Sequence, residues 1–244
     1  MNKPTLYQTL ECGLKNLVVS SDSKYLLNTC KLDILVKENI NLELLIFSGC
    51  DESDELNIRL EKNASVKIYN IVITSTDVLL KENVYLEKAN SHCEITSVLL
   101  STCDAVLNSD INIYHKVGHT SSTFENYGIA KDDAKMILNN NATITQGASK
   151  AQVIQKAKGL TLSKTASIKA MPNLYIDEYD VIANHSASIG SISKEDLFYL
   201  MSRGLTKEEA TSLVVIGFIK PIVDNIEDDT LKEEIFKKFI NNLK

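Results

Sequence analysis

A four-residue motif recurs along the chain as Asn63-Ala64-Ser65-Val66, Asn141-Ala142-Thr143-Ile144, Thr165-Ala166-Ser167-Ile168 and Ser186-Ala187-Ser188-Ile189. The last three alanines, Ala142, Ala166 and Ala187, recur at nearly even intervals. An interval of roughly 20–25 residues is typical of one coil of a solenoid, in which each turn of the chain stacks on the one before. Short strands separated by polar turns surround the motif from about residue 25 to 190. We therefore predict a mainly β protein with a parallel β-helix core over residues 1–190, and a β-sandwich is the alternative.

The turns between these strands are expected to use asparagine. The chain has 21 asparagines and only 9 glycines. The β region contains neither Asn-Gly nor Asp-Gly, the usual signals of tight hairpins. Asparagine tolerates the left-handed backbone conformation nearly as well as glycine does. We therefore predict that asparagine takes the place of glycine at the corners of the coils.

Composition excludes several classes of protein. With 44% hydrophobic residues, wholesale disorder is not expected. The net charge of −6 argues against a general nucleic-acid binder. The longest apolar stretch, Leu213–Ile219, is far too short to span a membrane, and the N-terminus has no export signal. Five cysteines without a CxxC motif argue against a disulfide framework and indicate a cytoplasmic protein.

The pattern becomes helical after residue 190, so residues 191–244 are predicted to form a C-terminal helical domain. Ser193-Lys194-Glu195-Asp196 and Thr206-Lys207-Glu208-Glu209 have the form of capping boxes, which mark helix N-termini. Pro221 is expected to kink or shorten the second helix. Asp228 or Asp229 would cap a third helix.

Few residues indicate a chemical site. His115 and His119 are four residues apart, a spacing that would suit a metal on a helix, but Gly118 and the β context favour a strand end and a polar turn. The cysteines are most simply small buried residues. Stacking of Cys12, Cys30 and Cys50 in adjacent coils is the alternative, since their spacing is close to the length of one coil.

His185 lies in a more informative setting. Alternation along the strand places it on one face with Val181, Ala183, Ala187 and Ile189. One interpretation is a core histidine with satisfied ring nitrogens. The other is a ligand or proton carrier on a surface that becomes buried against another subunit.

Four segments in order along the C-terminal half resemble one known family. They are Met171–Ile176 with P-x-L-x-I, Asn184–Gly190 with H-x-A-[ST], Asp196–Leu205 with L-F-Y-L-x-S-R-G, and Glu209-Ala210 followed by Gly217-Phe218. Together they resemble the SufB/SufD family. His115 with Thr120–Ser122, Gly128, Gln155 and Leu160–Ser163 are similar to the middle section of that family. The resemblance covers residues 111–225.

The resemblance implies a right-handed parallel β-helix followed by a small helical domain. It implies a cytoplasmic, non-enzymatic scaffold on which an iron-sulfur cluster forms transiently within a complex, and no cofactor held tightly by this chain alone. The implied partners are a SufC-like ATPase and a SufB-like subunit or a second copy of the chain, without nucleic acid or membrane. His185 matches the interface histidine of SufD and is the candidate metal ligand. Phe198, Tyr199, Arg203 and Gly204 are the candidate contacts with a partner.

Two positions favour SufD over SufB. SufB has a cysteine where this chain has Thr161, and a glutamate where it has Ser186. Ala183 departs from the SufD pattern, which commonly has cysteine there. The chain is shorter than typical members and is expected to lack their N-terminal helical extension. The alternatives are a β-helix carbohydrate-active enzyme, a lyase or hydrolase, and a purely structural partner subunit without a cluster ligand.

Overall fold

Successive strands alternate between two parallel sheets, so each coil of the chain adds one strand to each sheet. The computed structural model describes residues 6–10, 15–27, 31–48 and 54–243. Every strand pair within those ranges for which a register is defined is parallel. This arrangement confirms the predicted parallel β-solenoid and excludes the sandwich.

The odd-numbered strands form an eight-stranded sheet, the odd sheet. Its strands are β1 Gln8–Thr9, β3 Ser23–Leu27, β5 Asn41–Ser48, β7 Ser65–Thr74, β9 His92–Ser101, β11 Ser121–Ala130, β13 Gln152–Thr161 and β15 Ile182–Ser191. The even-numbered strands form a seven-stranded sheet, the even sheet. Its strands are β2 Asn16–Val19, β4 Lys31–Val36, β6 Asp54–Leu60, β8 Val78–Leu86, β10 Val106–His115, β12 Lys135–Ile144 and β14 Ser167–Ile176.

The length of one coil follows from the strand register, and it differs from the predicted repeat. Register partners on the odd sheet are 24 residues apart between β5 and β7, and this separation rises to 31 residues between β11 and β13. The motif alanines do not occupy equivalent positions, since Ala142 lies within β12 and Ala166 precedes β14. The four-residue pattern therefore predicted the correct fold, although its spacing is not the length of one coil. The pattern recurs because a small residue near a β-branched residue fits both the start and the interior of a strand.

Alternate side chains of each strand pack inside the solenoid. Leu44, Ile68, Ile95 and Phe124 follow one another in register across the odd sheet, and each is fully buried. Burying a side chain of this size contributes roughly 1.5–3 kcal/mol. The interior column therefore stabilises the stacking of the coils.

The prediction that asparagine forms the corners is met in part, since asparagine occupies one corner in three successive coils while Cys103, His119, Asp132 and Lys150 have positive φ angles in later turns. Asn39, Asn63 and Asn90 have positive φ angles of 62°, 56° and 62°. The Asn63 side chain donates to Asn39 Oδ1 at 2.7 Å, and Asn90 donates to Asn63 Oδ1 at 3.1 Å. The amide ladder thus ties each corner to the next.

The cysteines meet their prediction only in part. Cys93 is buried, as expected, and burial raises the pKa of its thiol. Cys103 is exposed, so the prediction is wrong there, because this residue lies in the surface turn between β9 and β10 with a φ of 60°. Cys12, Cys30 and Cys50 lie outside the described residues.

Three helices follow the last strand: α1 Lys194–Ser202, α2 Lys207–Val223 and α3 Asp229–Leu243. The box at Thr206 is complete, whereas Ser193 accepts from the Asp196 backbone without the reciprocal bond. Asp228 caps α3, since its Oδ1 accepts from two backbone N–H groups of the first turn. Helix α2 runs through Pro221 and ends at Val223. No helix in the described ranges has the length and apolar character needed to cross a bilayer.

Helices α2 and α3 pack on the outer face of the odd sheet. Their buried residues share one apolar cluster with sheet residues: Val215, Ile219, Ile235 and Phe239 from the helices, and Ile71, Val98 and Ile129 from the strands. The Tyr69 hydroxyl donates to the Asn225 carbonyl at 3.2 Å. Helix α1 buries no residue. The strands end at Ser191 and the helices begin at Lys194, while the status of residues 191–244 as a separate domain stays a prediction.

Candidate functional site at the open end of the solenoid

The last two strands leave the solenoid uncovered at one end. Strand β15 pairs only with β13, and β14 pairs only with β12, within the described part of the chain. Each therefore presents an unpaired backbone edge ten residues long. We call the surface formed by residues 167–176 and 182–191 the open end.

The open end exposes positions that are interior in the preceding coil. Met136, Leu138, Asn140 and Ala142 of β12 are buried, whereas their register partners Ile168, Ala170, Pro172 and Leu174 of β14 are partly exposed. On β15, Ile189 is in register with the buried Gly159 and is 44% exposed, whereas Ile182 faces outward and is 59% exposed. Exposed apolar side chains beside free strand edges are typical of interaction surfaces.

His185 lies in the middle of this surface. It is in register with Gln155, an interior residue only 1% exposed, so it occupies an inward-facing column. The alternation predicted from the sequence is therefore confirmed. The imidazole is exposed, and no residue of the described ranges forms a hydrogen bond with it, so it is not a satisfied core histidine. Whether it binds metal stays a prediction.

The chain supplies few other metal ligands near His185. Thr161, Ser186 and Ala183 occupy the positions at which the SufB/SufD resemblance expects cysteine or glutamate. Thr161 Oγ1 lies 3.4 Å from the Gly190 carbonyl and donates to it. Within the described residues, no group of three or more His, Cys, Asp and Glu side chains could hold a metal ion.

Helix α1 forms a second exposed surface. Phe198 and Tyr199, which would ordinarily be expected in a core, are 75% and 57% exposed. The Arg203 guanidinium stacks on the Tyr199 ring, with 5.2 Å between its central carbon and the ring centroid. The Arg203 backbone N–H, and not its side chain, bonds to the carbonyls of the last turn. Gly204 has a φ of 96°, which a glycine adopts without strain.

The histidine pair at positions 115 and 119 does not form a site. His115 ends β10 and is buried, with Nδ1 at 2.7 Å from Thr120 Oγ1 and Nε2 at 2.9 Å from Ser122 Oγ. His119 lies in the following turn and is exposed. Gly118 is required between them, because a Cβ there would lie 2.6 Å from the Ser149 carbonyl oxygen. The predicted strand end and polar turn are confirmed.

The sequence reading missed a set of polar residues inside the solenoid. Asn70, Ser97, Asn126 and Gln155 are buried at inward-facing positions of the odd sheet. The sequence contains the information needed to find them, because on each strand the polar residue is an even number of positions from the inward-facing apolar residues.

Comparison with known proteins relates most of the chain to one family. Residues 32–218 match the family model described as "SUF system FeS cluster assembly, SufBD core domain". An iron-sulfur cluster assembly protein SufD of Bacillus subtilis is 34% identical over 159 residues, which cover 65% of this chain and 36% of that protein. The SufD of Escherichia coli is 22% identical over 75% of this chain and 43% of its own length. That of Plasmodium falciparum is 28% identical over 73% of this chain and 12% of its own length. The chain thus spans less than half the length of these relatives.

Proposed function

The chain belongs to the SufB/SufD core family and lies closer to SufD, and on that premise we propose that it is a scaffold subunit for iron-sulfur cluster assembly. The observation that carries the proposal is the open end, where two free strand edges surround an exposed histidine. A non-catalytic role and a cytoplasmic location are parts of the same proposal.

The open end is the surface through which this subunit would pair with a SufB-like subunit or a second copy of itself. Two ten-residue edges offer backbone donors and acceptors that a partner's edge strands would complete. The exposed interior side chains would be buried in the same step, and apolar burial is the main favourable contribution to association. His185 would then lie within the interface.

His185 is the residue through which this subunit would contact the nascent cluster. A neutral imidazole is a suitable iron ligand, and thiolates are the commoner cluster donors. Cys93 is buried and Cys103 lies in a turn after β9, away from the open end. In this proposal the partner supplies the thiolates, and the cluster leaves the interface as the product of assembly.

Helix α1 is the proposed docking surface for a SufC-like ATPase. Phe198 and Tyr199 offer exposed aromatic anchors of the kind that dominate binding energy, and Arg203 holds Tyr199 in place. Helix α1 contacts α2, which packs on the odd sheet. A nucleotide-driven movement at α1 would reach the solenoid through this contact and bias its pairing.

The test is cluster formation on the assembled complex with His185→Ala. The variant chain is combined with a SufB-like subunit and a SufC-like ATPase, and bound iron, sulfide and visible absorption are measured. We expect the cluster yield to fall at least fivefold while the mass of the complex is unchanged. Ser186→Ala is the matched control on the neighbouring position and should retain the wild-type yield.

Two outcomes would contradict the proposal. A wild-type yield with His185→Ala would mean a structural subunit without a cluster ligand. Failure of the wild-type chain to bind either partner, together with cleavage of a polysaccharide, would favour the carbohydrate-active alternative.

A further inference from the structure

A line of polar side chains runs along the otherwise apolar interior of the solenoid. We call it the polar lane. Its members are Asn70, Ser97, Asn126 and Gln155 from the odd sheet, with Glu82, Ser109 and Asn140 from the even sheet. None of them is more than 1% exposed. Buried polar groups are costly unless they are hydrogen-bonded, so their arrangement requires a physical explanation.

The lane has one member on every coil of the odd sheet from β7 to the open end. Asn70, Ser97 and Asn126 are successive register partners, and adjacent strands are about 4.8 Å apart. Gln155 lies on the next strand, one inward-facing position from the partner of Asn126. His185 follows Gln155 in register on β15. The lane therefore reaches the surface at the open end.

The protein satisfies only some of the hydrogen-bonding atoms of the lane. Asn70 Nδ2 donates to Glu82 Oε2 at 3.1 Å and to Ser97 Oγ at 3.2 Å. Asn126 Nδ2 donates to Asn140 Oδ1 at 2.6 Å. Gln155 Nε2 donates to the Asn173 carbonyl at 3.0 Å.

Five buried atoms of the lane have no hydrogen-bond partner among the described residues. They are Asn70 Oδ1, Ser109 Oγ, Asn126 Oδ1, Asn140 Nδ2 and Gln155 Oε1. Each would destabilise a dry interior by about 1–3 kcal/mol. Five such atoms together would offset much of the roughly 5–15 kcal/mol that stabilises a typical domain. Atoms of this kind are normally satisfied by internal water.

The orientation of each amide identifies the ligand. Asn70 directs its nitrogen at Glu82 Oε2, and Gln155 must direct its nitrogen at a carbonyl, which only accepts, so in this arrangement both leave an oxygen free. The Asn126–Asn140 pair leaves one acceptor and one donor, whichever of the two amides donates. A cation would be repelled by the free donor and an anion by the free oxygens. Water both donates and accepts, and it satisfies both kinds of atom.

We propose that the polar lane is a binding site for a file of internal water molecules that opens to solvent beside His185. The file would reach the open end along the column of Asn126, in which the short side chains of Ala157 and Ala187 follow. Pro172 follows Asn140 in the facing sheet. The proposal is independent of cluster assembly, since it depends only on the solenoid interior.

The test locates and counts internal water in the chain by crystallography and by oxygen-17 relaxation dispersion. In the wild type we expect ordered water within hydrogen-bonding distance of Asn126 Oδ1, Asn140 Nδ2 and Gln155 Oε1. In the Asn126→Leu, Asn140→Leu double variant the water on Gln155 should remain and the number of long-lived waters should fall by at least one. Ile111→Val, at the register partner of Asn140, is an apolar control that should leave that number unchanged.

Wild-type density with ordered surface water but none at these three atoms would overturn the proposal, as would a coordinated ion in their place. An equal number of long-lived waters in the wild type and the double variant would also overturn it. If the double variant does not fold, the wild-type measurements alone decide.

Discussion

His115 gives the stability of the folded chain a dependence on acidity that can be assigned to one residue. Its ring is fully buried and bonded to Thr120 and Ser122, and burial lowers its pKa from 6.5 to about 4. The unfolded chain therefore binds a proton between pH 6.5 and about 4 that the folded chain does not bind.

We expect this histidine to remove stability as the pH falls through that window. Above pH 6.5 the histidine does not lower the free energy of unfolding. Between pH 6.5 and pH 4 that free energy falls by about 3 kcal/mol, because each pH unit contributes 1.36 kcal/mol. The measurement compares free energies of unfolding for the wild type and His115→Gln, which can bond to the hydroxyls but does not titrate. Carboxylates add their own pH dependence to both proteins, so the difference between the two curves reports His115. Parallel curves from pH 7 to pH 4 would contradict the assignment.

Single residues also mark the limit of prediction from sequence. The alternation of side chains along β15, which predicts that His185 faces inward, is a property of the strand itself and does not depend on the length of the coils. Its exposure depends on β15 being the last strand of its sheet, which local alternation does not encode. Positive φ at Asn39, Asn63 and Asn90 follows from asparagine chemistry, whereas the same conformation at Cys103 has no signal in the residue type.

The three helices differ in what holds them. Phe239 of α3 is fully buried against the odd sheet, whereas Phe198 of α1 is mostly exposed. The same substitution at these two phenylalanines therefore separates a packing role from a docking role.

We expect Phe239→Ala to lower the free energy of unfolding by about 3–5 kcal/mol, because it leaves a cavity in the core shared by helix and sheet. Phe198→Ala should change that free energy by less than about 0.5 kcal/mol. It should also weaken binding of a SufC-like ATPase at least tenfold. Denaturant unfolding and isothermal titration calorimetry measure the two effects. Unchanged ATPase affinity with Phe198→Ala would reject α1 as the docking surface.

Element boundaries at the C-terminus were predictable because capping is local chemistry. Thr206 and Glu209 form both bonds of a capping box, and Asp228 caps α3 through its own turn. The packing of α2 and α3 on the odd sheet was not predictable in this way. This packing brings Phe239 into contact with strands that lie more than a hundred residues earlier in the chain. No local sequence pattern predicts which strands those are.

At the scale of the whole molecule, the open end is the surface that we propose for pairing with another subunit. We expect Ile189→Glu to weaken pairing with a SufB-like subunit or a second copy at least tenfold, because a charge would be buried without a partner. Leu213→Glu, a similarly exposed position on α2, is the control and should pair normally. Light scattering coupled to gel filtration gives the mass of each mixture. Equal pairing by both variants would exclude the open end as the interface.

Each coil takes up more residues along the chain, since the separation of register partners rises from 24 residues at Asn41 and Ser65 to 31 residues at Glu125 and Lys156. The strands of the even sheet lengthen as well, from six residues in β4 to ten in β14. The strands from β9 to β15 all have ten residues, so the open end presents two full-length edges. In the proposed pairing, the same surface of each subunit faces the other, and the contact uses the free edges of both. We therefore expect that pairing to stop at two subunits and not to continue into a filament.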